Sequence, residues 1–237
     1  MLLRGIRYDP SNGVYYDHIG PMTRVTEYVN DVFFEPFNAQ VVASNVAAKR
    51  GCNVEDVFAE WAEARMRGTA AHKYIERVFR EWDSLGATQM YSEPISSDAE
   101  EGHRVAFRKW VESNFELLVC NPIMSEVVVG SSRIGLAGTS DLVVVRPDGH
   151  QVVDFKTGRF STHGYGTLIH PKFADVPASK FSRASLQVSL YRILIEERER
   201  EPTVQSIIVH LKEDGAFEEF DAWDFRSELR EVLLLHL

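Results

Sequence analysis

The stretch Gly138-Thr139-Ser140-Asp141, Leu142-Val143-Val144-Val145, Arg146-Pro147-Asp148-Gly149 and, two residues on, Val152-Val153-Asp154-Phe155-Lys156 decides how the chain is read. Two runs rich in β-branched residues flank a Pro-Asp-Gly turn, the pattern of a β-hairpin. Pairing Arg146 with Gly149 sets Asp141 across from Asp154, and a bulge at Gly149 would slip them by one place only. Lys156 follows Asp154 by two residues, so the strand period puts its ammonium on the same face as that carboxylate. Two acids and a lysine converge.

Neighbouring carboxylates repel, so such a pair needs a shared proton or a cation between them. A divalent metal meets that need, and Lys156 adds positive charge where a phosphate or an activated water would lie. An isolated D-x-K is more often a hairpin with acids at its ends and a surface lysine, so the surrounding residues decide. Asp141 followed by Asp154-Phe155-Lys156 resembles the PD-(D/E)XK nuclease superfamily. Three further elements resemble its RecB-like exonuclease branch, in that branch's order: Gly68-Thr69-Ala70-Ala71-His72 as GxxxH, Gly135 to Asp141 as GxxGTxD, and Gln187-Val188-Ser189-Leu190-Tyr191 as QxxxY. The resemblance spans Gly68 to Leu211 and is closer to the small standalone phage and mitochondrial exonucleases than to helicase-fused forms.

What the resemblance implies is an α/β fold of the restriction-endonuclease-like type: an αβββαβ core whose mixed central sheet is flanked by helices, with N-terminal helical additions. It implies a metal-dependent deoxyribonuclease in which Asp141, Asp154 and His72 bind Mg²⁺ or Mn²⁺ and water attacks phosphorus in line, leaving 5′ phosphates. Lys156 then positions the water and neutralises developing charge. The expected partner is DNA, as single strands or duplex ends, and the expected subtype is an exonuclease. A structure-selective endonuclease with the same site and a noncatalytic nucleic-acid-binding module are the alternatives.

Periodicity places the candidate side chains. At roughly 100° per residue, His72 shares an inward helix face with Gly68, Ile75 and Phe79. It reads as a core histidine when taken alone, and as a ligand beside the hairpin acids. Gln187 lies within the stripe of Leu186, Leu190, Ile193 and Leu194, where a buried amide requires partners: a neighbouring loop, or a catalytic water, Lys156 or the nucleic-acid backbone. Arg183 one turn back and Tyr191 one turn on extend a strip, in which Tyr191 stacks on a base or packs. Glu126 begins the strand before the one that delivers Asp141, and acids at related places in the family join the site. Lys180 and Arg24 complete the expected nucleic-acid contacts, Arg24 within Thr23-Arg24-Val25-Thr26, which resembles the N-terminal helix entry of the small exonucleases.

The chain has 237 residues, 44% of them hydrophobic, enough for one domain over residues 1–237 with 1–52 as an N-terminal hairpin and helical extension. No apolar run approaches the roughly 20 residues of a membrane span, and Met1-Leu2-Leu3-Arg4 is too short for a secretory signal. The expectation is an intracellular, cytoplasmic protein with no membrane partner, including the case of a viral protein in its host's cytoplasm. Cys52 and Cys120 lack metal spacing, so no iron–sulfur cluster is expected, and without G-x-x-x-x-G-K-[ST] no ATP use is expected. A net charge of −9 opposes a polyanionic partner unless local charge overrides it. Arg24, Arg65, Arg67, Lys73, Lys172, Lys180 and Arg183 against acidic segments such as Glu218-Glu219 predict a basic groove and an acidic back.

Turn and cap residues predict a hairpin over 4–19, helices over 24–34 and 38–49, and a helix from Val54 to Leu85 with a possible break at Gly68. They predict a helix over 99–119, strands over 124–129, 133–145 and 151–157, and an irregular stretch over 158–178. A helix over 180–199, a strand over 204–212 and a helix from 223 follow.

Overall fold

A computed structural model describes residues 5–85, 98–164 and 166–234. In chain order the elements are β1 (Arg7–Asp9), β2 (Val14–Tyr16), β3 (Pro21–Arg24), α1 (Val25–Phe33), α2 (Ala39–Arg50), α3 (Val54–Leu85), α4 (Glu101–Ser113), α5 (Phe115–Cys120), β4 (Ile123–Ser131), β5 (Leu136–Arg146), β6 (Gly149–Lys156), α6 (Lys180–Glu199), β7 (Thr203–Leu211), β8 (Phe217–Asp221) and α7 (Arg226–Leu234). The predicted α/β core is present: β4, β5 and β6 form an antiparallel meander, and β7 returns through α6 to lie parallel to β6.

The Pro-Asp turn fixes the hairpin register as expected, with Arg146 opposite Gly149 and no bulge. The ladder then stops at Leu142–Val153. Beyond that pair β6 continues along β7 to Lys156, while the first residues of β5, Leu136 and Ala137, pair in parallel with β3. The backbone N–H of Phe155 donates to the Asp141 carboxylate at 2.8 Å. The two acids therefore sit where the strands part, a place where side chains can enter the sheet.

Alternation buries both faces of the sheet. Val143 and Val152 pack with Val25, Phe33, Leu186, Leu190 and Leu229 from α1, α6 and α7. Leu142, Val144, Val153 and Phe155 pack with Tyr74, Phe79, Phe107 and Trp110 from α3 and α4. Phe155 is fully buried, edge-on to Trp110 at 5.0 Å and to Phe107 at 5.6 Å. Burial of such a ring contributes about 1.5–3 kcal/mol, and here it pins the strand that carries Asp154 and Lys156.

Several elements depart from the sequence reading. The first residue of the predicted hairpin, Arg4, lies outside the described residues. α3 runs through Gly68 without a break; a Cβ at Gly68 would lie 3.1 Å from Thr157 Oγ1, so the glycine serves close approach of α3 to the end of β6. The predicted 99–119 helix is two, divided at Asn114, whose side-chain amide binds Trp110 O and Glu219 Oε1 instead of continuing the helix. β3 and β8 were not expected. The 1–52 segment joins the central sheet through β3, while α2 and the start of α3 share a small separate core of Ala43, Ala47 and Val57.

Candidate active site

Asp154 is 2% exposed, with Lys156 Nζ donating to Oδ1 at 3.0 Å and lying 2.8 Å from Oδ2. Asp141 faces the same opening, with His72 Nδ1 3.3 Å from its Oδ1. α3 belongs to the helical layer opposite α6, and reaches Asp141 only because the sheet has opened there.

Glu126 completes the group. It stands in β4 between the pairs Ser125–Leu142 and Val127–Ser140, hence opposite Asp141, with φ of +48°. A non-glycine residue there is strained by roughly 1–2 kcal/mol, and the twist brings its carboxylate within 4.8 Å of ligand atoms of both His72 and Asp141.

The electrostatics show a cluster short of positive charge. The Asp141 charge raises the His72 imidazole to about 9, outweighing burial. Burial would raise Asp141, but the His72 charge and hydrogen bond hold it below the usual carboxylate range. Burial pushes Asp154 up to about 6 despite Lys156, and burial, with the Asp141 charge behind it, pushes Glu126 up to about 7. Burial works against the Lys156 ammonium, yet Asp154 and Asp141 hold its pKa above the usual value. Three carboxyls thus face one ammonium and one imidazole.

These residues fit a divalent cation. The donor set is imidazole nitrogen and carboxylate oxygen, with a glutamate whose carboxyl is pushed up to about 7 by burial, a composition suited to Mg²⁺ or Mn²⁺. His72, Glu126 and Asp141 are the three whose ligand atoms already converge. Asp154 is held apart on Lys156.

Gln187 lies beside them on α6. Its Nε2 donates to Asp154 Oδ1 at 3.3 Å and to the Tyr191 hydroxyl at 3.0 Å, and its Oε1 accepts from Lys156 at 3.5 Å. Of the alternatives open for its amide, the structure shows the lysine. Tyr191 requires a correction: it is 3% exposed and its ring packs on Gly138, where a Cβ would lie 2.7 Å from Cε1. A buried ring offers no face to a base, so Tyr191 supports Gln187 instead.

Arg183 and Lys180 line a cavity of about 750 Å³ that reaches Lys156 and Gln187. Arg183 binds Asn30 and stacks 4.0 Å over the Phe34 ring, and Lys180 binds the Arg159 carbonyl. Arg24 does not line that cavity; it caps the entry to α1, 3.7 Å from Glu27. Sequence reasoning missed the cavity's far wall, Phe34-Glu35-Pro36-Phe37, and Arg159. The aromatic pair about a proline between two helices, with Phe37 68% exposed, was the available signal.

The match to a family model of the PD-(D/E)XK nuclease superfamily runs over residues 40–233. No curated protein matches the chain. With that match covering most of the chain, and the acids and lysine of the hairpin meeting where the sheet parts, the chain belongs to the PD-(D/E)XK nuclease superfamily.

Proposed function

We propose that this nuclease is a metal-dependent DNA exonuclease of the RecB-like kind, acting on single strands or free DNA ends and leaving 5′ phosphates. The observation that carries the reading is the convergence of His72, Glu126 and Asp141, with Asp154 held next to them on Lys156, which also lines the adjoining cavity. His72, Glu126 and Asp141, with Asp154 beside them, would hold Mg²⁺ or Mn²⁺, which would supply Lewis acidity at the phosphoryl oxygen and the reacting water. Water adds to phosphorus, the P–O3′ bond breaks, and the proton ends on the leaving 3′ oxygen. Lys156 meets the charge that develops on the phosphate, and Gln187 keeps that ammonium and Asp154 in place.

Support for a single strand or frayed end comes from the cavity's walls, the α1–α2 linker on one side and the first turns of α6 on the other. Arg159, Lys180 and Arg183 bring positive charge to it, and Phe37 and Phe160 bring aromatic surface, the combination that holds unpaired strands. End-labelled linear and covalently closed circular DNA, single- and double-stranded, compared in Mg²⁺, Mn²⁺ and chelator, tests the reading. Degradation of linear strands with circles intact is expected. Cutting of closed circles at a similar rate would make the enzyme an endonuclease.

A further inference from the structure

Four residues on α3 stand four apart, Arg65, Thr69, Lys73 and Arg77, and all are exposed. Each step of four residues rises about 6 Å and turns about 40° further round the helix, so these side chains form one ridge inclined to the helix axis. With Asp98 and with Met66, 65% exposed, they line a cavity of about 770 Å³. None of the proposed metal ligands lines it, nor does Lys156.

Charge compensation along the ridge is uneven. Arg77 is 3.0 Å from Glu81, and neighbouring Arg67 is shared among Glu63, Glu100 and Glu213. Arg65 and Lys73 make no ion pair and no side-chain hydrogen bond among the described residues. In a chain of net charge −9, a cavity wall with Arg65 and Lys73 about 12 Å apart along the helix axis, against Asp98 in the same lining, is a local reversal of sign. Such a row suits a regularly spaced polyanion.

The ridge also connects with the site. Lys73 follows His72 directly. A third cavity, of about 1010 Å³, shares Arg159, Phe160 and Lys180 with the cavity at Lys156, and shares Arg67 with the ridge cavity. Through these shared walls the three concavities follow one another from the candidate active site to α3.

We infer that this ridge is a second nucleic-acid contact, which grips the sugar–phosphate backbone of the substrate away from the scissile bond. Arg65 and Lys73 each take a phosphate, and the Thr69 hydroxyl between them donates to the same backbone. The inference rests on the nuclease reading and extends it, since it assigns residues that hold the chain's length and take no part in cleavage.

The test is binding of a labelled single-stranded oligonucleotide to Asp154→Asn protein in Mg²⁺, with and without Arg65→Gln and Lys73→Gln, over roughly 50 to 200 mM salt. Glutamine suits helices about as well as the residues replaced, and melting curves confirm the fold. Loss of two phosphate contacts lowers the slope of log K against log salt by about 1.4 and weakens binding roughly 25-fold at about 0.1 M salt, at about 0.7 per phosphate for a single strand. Arg65→Lys keeps the slope. In protein that retains Asp154, the Gln pair leaves cleavage of a dinucleotide, too short to reach the ridge, unchanged. An unchanged slope and affinity would overturn the inference, as would equal losses on oligonucleotide and dinucleotide, or the absence of binding by protein with the ridge intact. If the slope falls as expected while unmutated protein cleaves no DNA, the hydrolytic reading fails and the contact stands.

Discussion

His72 carries the most pH-sensitive consequence of the site. Its imidazole is raised to about 9 by Asp141, above the unfolded value of about 6.5. The stabilisation from that pair in metal-free protein is therefore complete below about 6.5 and disappears as pH rises through about 9. Metal requires the imidazole neutral, and Glu126, raised to about 7, ionised, so binding releases protons. The metal concentration for half-maximal activity should fall about tenfold per pH unit between about 7 and 9, and His72→Ala should flatten that dependence. A midpoint that does not move with pH in either protein would remove His72 from the ligands. Glu126 offers the converse test, because its φ of +48° costs stability for the sake of position. Glu126→Gly should raise stability by about 1 kcal/mol in a denaturant titration while raising the metal requirement severalfold. Lower stability with unchanged metal dependence would make the conformation a packing accident. Of these residues, strand parity gave Asp141, Asp154 and Lys156 their common face, and the family resemblance gave the reading of them as a site. Tyr191 was not placed, because helical spacing gives a direction and says nothing of what fills the space there; Gly138 does.

At the scale of elements, the strand carrying Asp141 is shaped by what packs on it. The Tyr191 ring occupies the space above Gly138, and its hydroxyl holds Gln187. Gly138→Ala should cost about 1–3 kcal/mol by overpacking and reduce cleavage by shifting Gln187 from Asp154 and Lys156. Unchanged melting and rate together would show that the ring yields freely. The long elements could be read because burial imposes a period on them: β5, β6 and α6 lie between two helical layers or against the sheet. The elements not foreseen are short or lie at the margin. β3 pairs with β5 through two residues only, too few for alternation to register, and β8 is a five-residue strand of largely exposed side chains. The division at Asn114 depends on Glu219, 105 residues away, which no local signal carries.

For the whole molecule, fold and chemistry meet in the departure of β5 from β6. A sheet paired along its full length would bury Asp141 and Asp154 against each other; pairing that ends at Leu142–Val153 leaves room for His72 from one helical layer and Gln187 from the other. The net charge of −9 is compatible with a nucleic-acid substrate because Lys156, Arg159, Lys180 and Arg183 line one cavity at the site. The central claim is that Asp141 and Asp154 serve as metal-binding acids of a hydrolytic site. Single-turnover cleavage of end-labelled DNA by wild type, Asp141→Asn and Asp154→Asn, titrated with Mn²⁺ and repeated in chelator, tests it most directly. The account predicts metal-dependent cleavage by wild type and a loss of at least about a thousandfold in each variant, equivalent to about 4 kcal/mol of transition-state stabilisation, with melting temperatures showing folded protein. Full turnover by metal-stripped wild type, or by either variant, would contradict it.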